Sequence, residues 1–96
     1  MPAVDMTDEQ IIALIINYLV RRRCWGGRYF NKQKLIRYLG QDVLGDGKKV
    51  SRCMDIMIKK RWLNNMKKGE TISLNIHYKR EIMEHKREFE SDEFLI

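Results

Sequence analysis

The stretch from Asp46 to Asn75, DGKKVSRCMDIMIKKRWLNNMKKGETISLN, decides the fold. Its first half carries apolar residues at helical spacing. Val50, Cys53, Met54, Met57 and Ile58 share one face of a helix expected from about Gly47 to Arg61, with Asp46 as its N-cap. Lys48, Lys49, Ser51, Arg52, Asp55 and Lys59 are left facing outward. The second half changes period. Trp62 to Met66 and Thr71 to Leu74 are short runs of strand character around Lys67-Lys68-Gly69-Glu70, a turn whose glycine can take positive φ. A basic helix therefore leads straight into a β-hairpin.

Upstream, Thr7 followed by Asp8, Glu9 and Gln10 forms a capping box, in which the threonine hydroxyl bonds the third amide and Gln10 reaches back. The helix it opens carries Ile11, Leu14, Ile15, Tyr18 and Leu19, widened by Ile12, Ile16 and Val20, and is expected to be the central core helix. It should end near Arg23, ahead of Gly26-Gly27. Arg28 to Phe30 reads as a short extended piece. Asn31 then caps a second helix, Lys32 to Leu39, with Leu35, Ile36 and Leu39 inward and Gly40 as the residue that closes it. The connector Gln41 to Gly45 is expected to tuck Val43 and Leu44 into the core. Downstream, Asn75 caps a last helix from about Ile76 to Glu90, with Tyr78, Ile82, His85 and Phe89 as its stripe and a loose tail behind it. The fold class is mainly α with a small β-hairpin, an α+β arrangement in one domain over residues 1–96.

Charge is placed unevenly along the 96 residues. Residues 1–20 carry net −3, residues 21–80 carry 17 Lys and Arg against four acids for +13, and residues 81–96 carry −4, within a total of +6. A strongly basic centre with acidic ends suits a polyanion on one face. The longest apolar run, Ile11 to Val20, is about half the ~20 residues a membrane helix needs. The first ten residues lack the positive charge of a signal peptide, so the expected location is cytoplasmic. Cys24 and Cys53 have no metal spacing and read as reduced thiols in or near the core.

The order helix, short strand, helix, helix, hairpin, helix resembles the winged helix-turn-helix family over roughly residues 8–90, as in small archaeal and bacterial transcription regulators. The resemblance implies double-stranded DNA as the partner, a recognition helix at 47–61, a wing at 63–74, no cofactor and no enzymatic activity. Lys48, Lys49, Ser51 and Arg52 lie in the turns that would approach bases, with Arg52 suited to gripping a guanine. Asp55 is read as pairing with Lys59 four residues on, with a cytosine contact as the alternative. Lys67 and Lys68 on the wing, and Lys32, Lys34 and Arg28 near the second helix, are candidate phosphate contacts. The run Arg21-Arg22-Arg23 also has a plain role, complementing the dipole of the helix it ends. The last helix resembles a dimerisation element, which implies a homodimer through Tyr78, Ile82, His85 and Phe89; the stripe folding back on the first helix is the alternative.

Two other readings stay open. Winged-helix domains also serve as adaptors for protein partners, and a single-strand or RNA binder would stack bases on Trp25, Tyr29, Phe30 or Trp62, residues that otherwise close a small core. Metal and catalytic readings have little support. No cysteines stand two to four apart, His77 and His85 are two helical turns apart, and Gly45-Asp46-Gly47-Lys48-Lys49 lacks the spacing of a phosphate-binding P-loop. The carboxylate row Glu81, Glu84 and Glu88 reads as a solvated helix face.

Overall fold

The computed structural model describes residues 6–41 and 47–89. Four α-helices and a three-stranded antiparallel sheet make an α+β domain, in the order α1 Asp8–Arg21, β1 Phe30–Asn31, α2 Lys32–Gly40, α3 Lys48–Lys59, β2 Leu63–Met66, β3 Thr71–Leu74 and α4 Lys79–Phe89. None of these helices is long and apolar enough to cross a membrane.

α1 starts where its capping box requires. Thr7 Oγ1 accepts the Gln10 amide at 3.2 Å and Gln10 Oε1 accepts the Thr7 amide at 3.0 Å. Ile11, Ile15, Ile16 and Leu19 are fully buried, and α1 packs against α3, α4 and β3, which makes it the centre of the core. It ends at Arg21, two residues before the expected point, because Arg23 itself takes the left-handed conformation (φ 56°) that Gly26-Gly27 was expected to supply. The Cys24 amide then bonds the Leu19 carbonyl and the Arg23 amide bonds the Val20 carbonyl, both at 3.0 Å. This is the Schellman closure, with arginine where glycine is usual.

α3 ends the same way. Arg61 sits at φ 65°, the Trp62 amide bonds Met57 O at 2.9 Å and the Arg61 amide bonds Ile58 O at 3.0 Å. Placing a side chain in this conformation costs about 1–2 kcal/mol, so each arginine is held there at the expense of stability. At its start α3 differs from expectation. The N-cap is Gly47 at φ 85°, where a Cβ would meet Ile36 Cγ2 at 3.2 Å. Asp46, Val43 and Leu44 lie outside the described residues, as does the tail after Phe89. Val50, Cys53, Met54 and Met57 are buried as expected, and Ile58 is half-buried.

Asn31 caps α2, accepting the Lys34 amide at 2.9 Å. Gly40 is not the closing residue expected of it: the helix runs through Gly40, which is buried, and Gln41 beyond it is still right-handed. Asn75 caps a short 3₁₀ turn, Ile76–Tyr78, and α4 proper begins only at Lys79.

The extended piece before α2 belongs to the sheet, whose order is β1-β3-β2. Phe30 pairs with Ile72 and Asn31 with Thr71, while Leu63 to Met66 pair with Leu74 to Thr71 on the other side. Trp25 extends the β1 side by bridging to Leu74. At the centre Ser73 is fully buried. Its hydroxyl donates to Gly26 O at 2.7 Å and accepts from Asn64 Nδ2 at 3.1 Å, which removes the penalty of burying it.

Candidate nucleic-acid interface

The outward face of α3 is basic, but the structure divides its residues by partner. Lys48 and Lys59 are exposed, and Lys49 and Ser51 are half-buried. Arg52 reaches across to α1, where its Nη2 stands 2.7 Å from Asp8 Oδ1. An arginine committed to a carboxylate presents fewer donors to a base than the sequence pattern implied. Asp55 does not turn to Lys59. Its carboxylate stands 3.6 Å from Lys32 Nζ on α2, so one expected phosphate contact is an interhelical ion pair whose lysine is only 15% exposed. Lys34 and Arg28 remain exposed.

α2 and α3 both begin with lysines and no acid in the first turn, against the direction that the helix dipole favours. Gly47 offers no side chain to bond the first amides of α3. Two helix starts that combine backbone N–H groups with lysine ammonium groups attract anions such as phosphate. α1 is the opposite case, since Asp8 and Glu9 fill its first turn.

The hairpin turn is exposed, with Lys67 at φ 53° and Lys68 at φ 58° ahead of Gly69 at φ 89°. The sequence identified Gly69 as the left-handed residue, and two lysines share that conformation. Glu70 O accepts the Lys32 amide at 2.9 Å, which seats the turn beside the start of α2. Lys67, Lys68, Lys32 and Lys34 are thereby brought to one end of the sheet.

The stripe on α4 turns inward. Ile82 is fully buried in the same cluster as the α1 residues. His85 Nε2 stands 2.9 Å from Glu9 O, and since a carbonyl only accepts, this nitrogen carries the proton. The His85 ring lies 5.4 Å from Trp62 and 4.6 Å from Phe89. Tyr78 and Phe89 are half-buried. Ile82 and His85 thus meet α1 within the chain, while Tyr78 and Phe89 keep part of their surface open.

Cys24 and Cys53 are both free and buried. Burial, then the charge and hydrogen bond of Asp8, push the Cys53 thiol up to about 12, and burial raises Cys24 despite Arg22 and Arg28. Neither is an activated nucleophile. Among the described residues no three His, Cys, Asp or Glu side chains gather to hold a metal.

Trp25, Phe30 and Trp62 are half-buried against the core, and Tyr29 alone of the four aromatics is exposed. Tyr29, Met66 and Ile76 line an open groove of about 370 Å³. Sequence reasoning missed three features: the Asp8–Arg52 and Lys32–Asp55 pairs, and the left-handed arginines at positions 23 and 61. Compared with known proteins, the chain matches no family model, no curated protein and no solved structure.

Proposed function

We propose that this chain is a winged-helix module that binds duplex DNA as a transcription regulator, with α3 as recognition helix and the β2–β3 hairpin as wing. The observation that carries the reading is the sheet order β1-β3-β2, in which the strand before α2 pairs with the far arm of a hairpin that α3 enters directly. Lysines at the starts of α2 and α3 and in the wing turn support a phosphate-contacting surface. Because Ile82 faces α1, the reading needs no second copy of the chain.

The test is a fluorescence-anisotropy titration of a random-sequence duplex against salt. Four phosphate contacts, from Lys48, Lys49, Lys67 and Lys68, give a log–log slope of about −3.6 and a loss of about 150-fold between 50 and 200 mM salt. The Lys48→Ala/Lys49→Ala variant should fold and keep about half that slope. A parent that binds no duplex even at low salt refutes the reading. The adaptor reading, favoured by the exposed apolar groove at Tyr29, Met66 and Ile76, would then take its place.

A further inference from the structure

Among the described residues, every non-glycine residue held at positive φ is a cation: Arg23, Arg61, Lys67 and Lys68. Glycine or asparagine suits these positions better, so a basic side chain is present at each in spite of the backbone. Lys67 and Lys68 belong to the wing. Arg23 and Arg61 do not, and their place in the fold is specific. The Leu74 amide bonds Cys24 O at 2.8 Å and the Gly26 amide bonds Leu74 O at 2.9 Å. On the other side, the Asn75 amide bonds Trp62 O at 2.9 Å and Asn75 Nδ2 bonds Arg61 O at 2.7 Å. The two helix-ending arginines thus flank the same end of β3, opposite the wing turn.

Three segments meet there: RRRCWGGR at 21–28, KKRW at 59–62 and NIHYKR at 75–80, and none contains an acid. Arg23, Lys60, Arg61 and Lys79 are exposed. The Lys60 ammonium lies 4.7 Å over the Trp62 ring and the Lys79 ammonium 5.8 Å over the Trp25 ring, so both cations are held at this end of the sheet by aromatic faces. Arg80 stands 3.4 Å from the Glu84 carboxylate. The face of α3, by contrast, carries two ion pairs. Lys48 stands about 20 Å from Arg61 at about 1.5 Å per residue, with Lys48 at the start of α3 and Arg61 beyond its end, so the two basic surfaces have separate centres.

We infer that this end of the sheet, centred on Arg23 and Arg61, is a second phosphate-binding surface that holds a separate segment of nucleic acid, so that one molecule bridges two duplexes. The inference rests on the duplex-binding reading for its ligand. It extends that reading to Arg23 and Arg61, which lie outside α3 and outside the β2–β3 hairpin.

The experiment immobilises a biotinylated random-sequence duplex, loads it with protein and measures retention of a second, fluorescein-labelled duplex. The parent should retain the labelled duplex. Arg23→Gly/Arg61→Gly should lose retention at least about tenfold, keep its binding to a single duplex, and melt higher by roughly 5 °C per relieved site. Arg23→Lys/Arg61→Lys should restore retention, since it keeps the charge. Retention unchanged in the glycine variant, or a parent that binds single duplexes but retains no second one, overturns the inference and leaves the duplex reading standing. A parent that binds no duplex removes both, and binding to phosphatidylserine vesicles without duplex retention assigns the surface to a membrane and overturns the inference.

Discussion

Truncating Ile82 tests the packing on which the monomeric reading depends. Ile82 is fully buried in the cluster built around Ile11, Ile15 and Ile16 of α1. Ile82→Ala removes three carbons, worth about 2.4 kcal/mol at about 0.8 kcal/mol each, and the cavity left behind raises the loss to about 3–4 kcal/mol. With 96 residues and about 2.1 cal/mol/K of unfolding entropy per residue, Tm should fall by roughly 15–20 °C. The assay is thermal unfolding followed by far-UV circular dichroism at two protein concentrations tenfold apart, parent and variant together. Packing within one chain makes Tm independent of concentration, whereas an interface between copies makes it rise with concentration. A loss below about 1 kcal/mol, or a parent whose Tm rises with concentration, would refute the assignment of Ile82 to the interior of a single chain.

Two further outcomes follow from the contacts of Asp8. Asp8→Asn should leave the fold intact and free Arg52, so that duplex affinity rises at low salt and the log–log slope steepens by about 0.9, one phosphate's worth; unchanged affinity would remove Arg52 from the interface. The raised Cys53 thiol makes stability depend on alkaline pH. The folded state keeps the proton that the unfolded chain releases near 9, so this contribution is complete below pH 9 and lost as pH rises toward about 12. Urea midpoints at pH 8 and pH 10.5 should therefore differ more in the parent than in Cys53→Ala, and equal differences would contradict the burial assigned to the thiol.

What the sequence disclosed was local. Thr7 with Gln10, Asn31 and Asn75 act within three residues of themselves, and their caps form where the pattern indicated. The apolar face of α3 was legible because its period depends only on the helix. The partners of that helix were not. Arg52 meets a carboxylate 44 residues away, and Asp55 chose Lys32 over the nearer Lys59. Pairing across elements depends on how helices pack, which side-chain spacing does not encode. The left-handed arginines were hidden for a different reason. Glycine signals positive φ in a sequence and arginine does not, so Gly26-Gly27 drew attention from Arg23, three residues earlier. The inward turn of α4 was visible as an apolar stripe, but the stripe alone could not say whether α1 or a second copy would cover it.

The three-stranded sheet also bears on how the chain behaves at high concentration. An open sheet exposes two edges, and an edge strand with free N–H and C=O groups is a template for pairing with another chain. Here one edge, β1, is only two residues long and turns at once into α2. The other, β2, offers Leu63 to Met66 and is closed at both ends by cations in left-handed conformation, Arg61 before it and Lys67 after it. A strand arriving from a neighbour would find few bonds to make and a positive charge at each end. The residues that strain the backbone thus also guard the molecule against edge-to-edge growth.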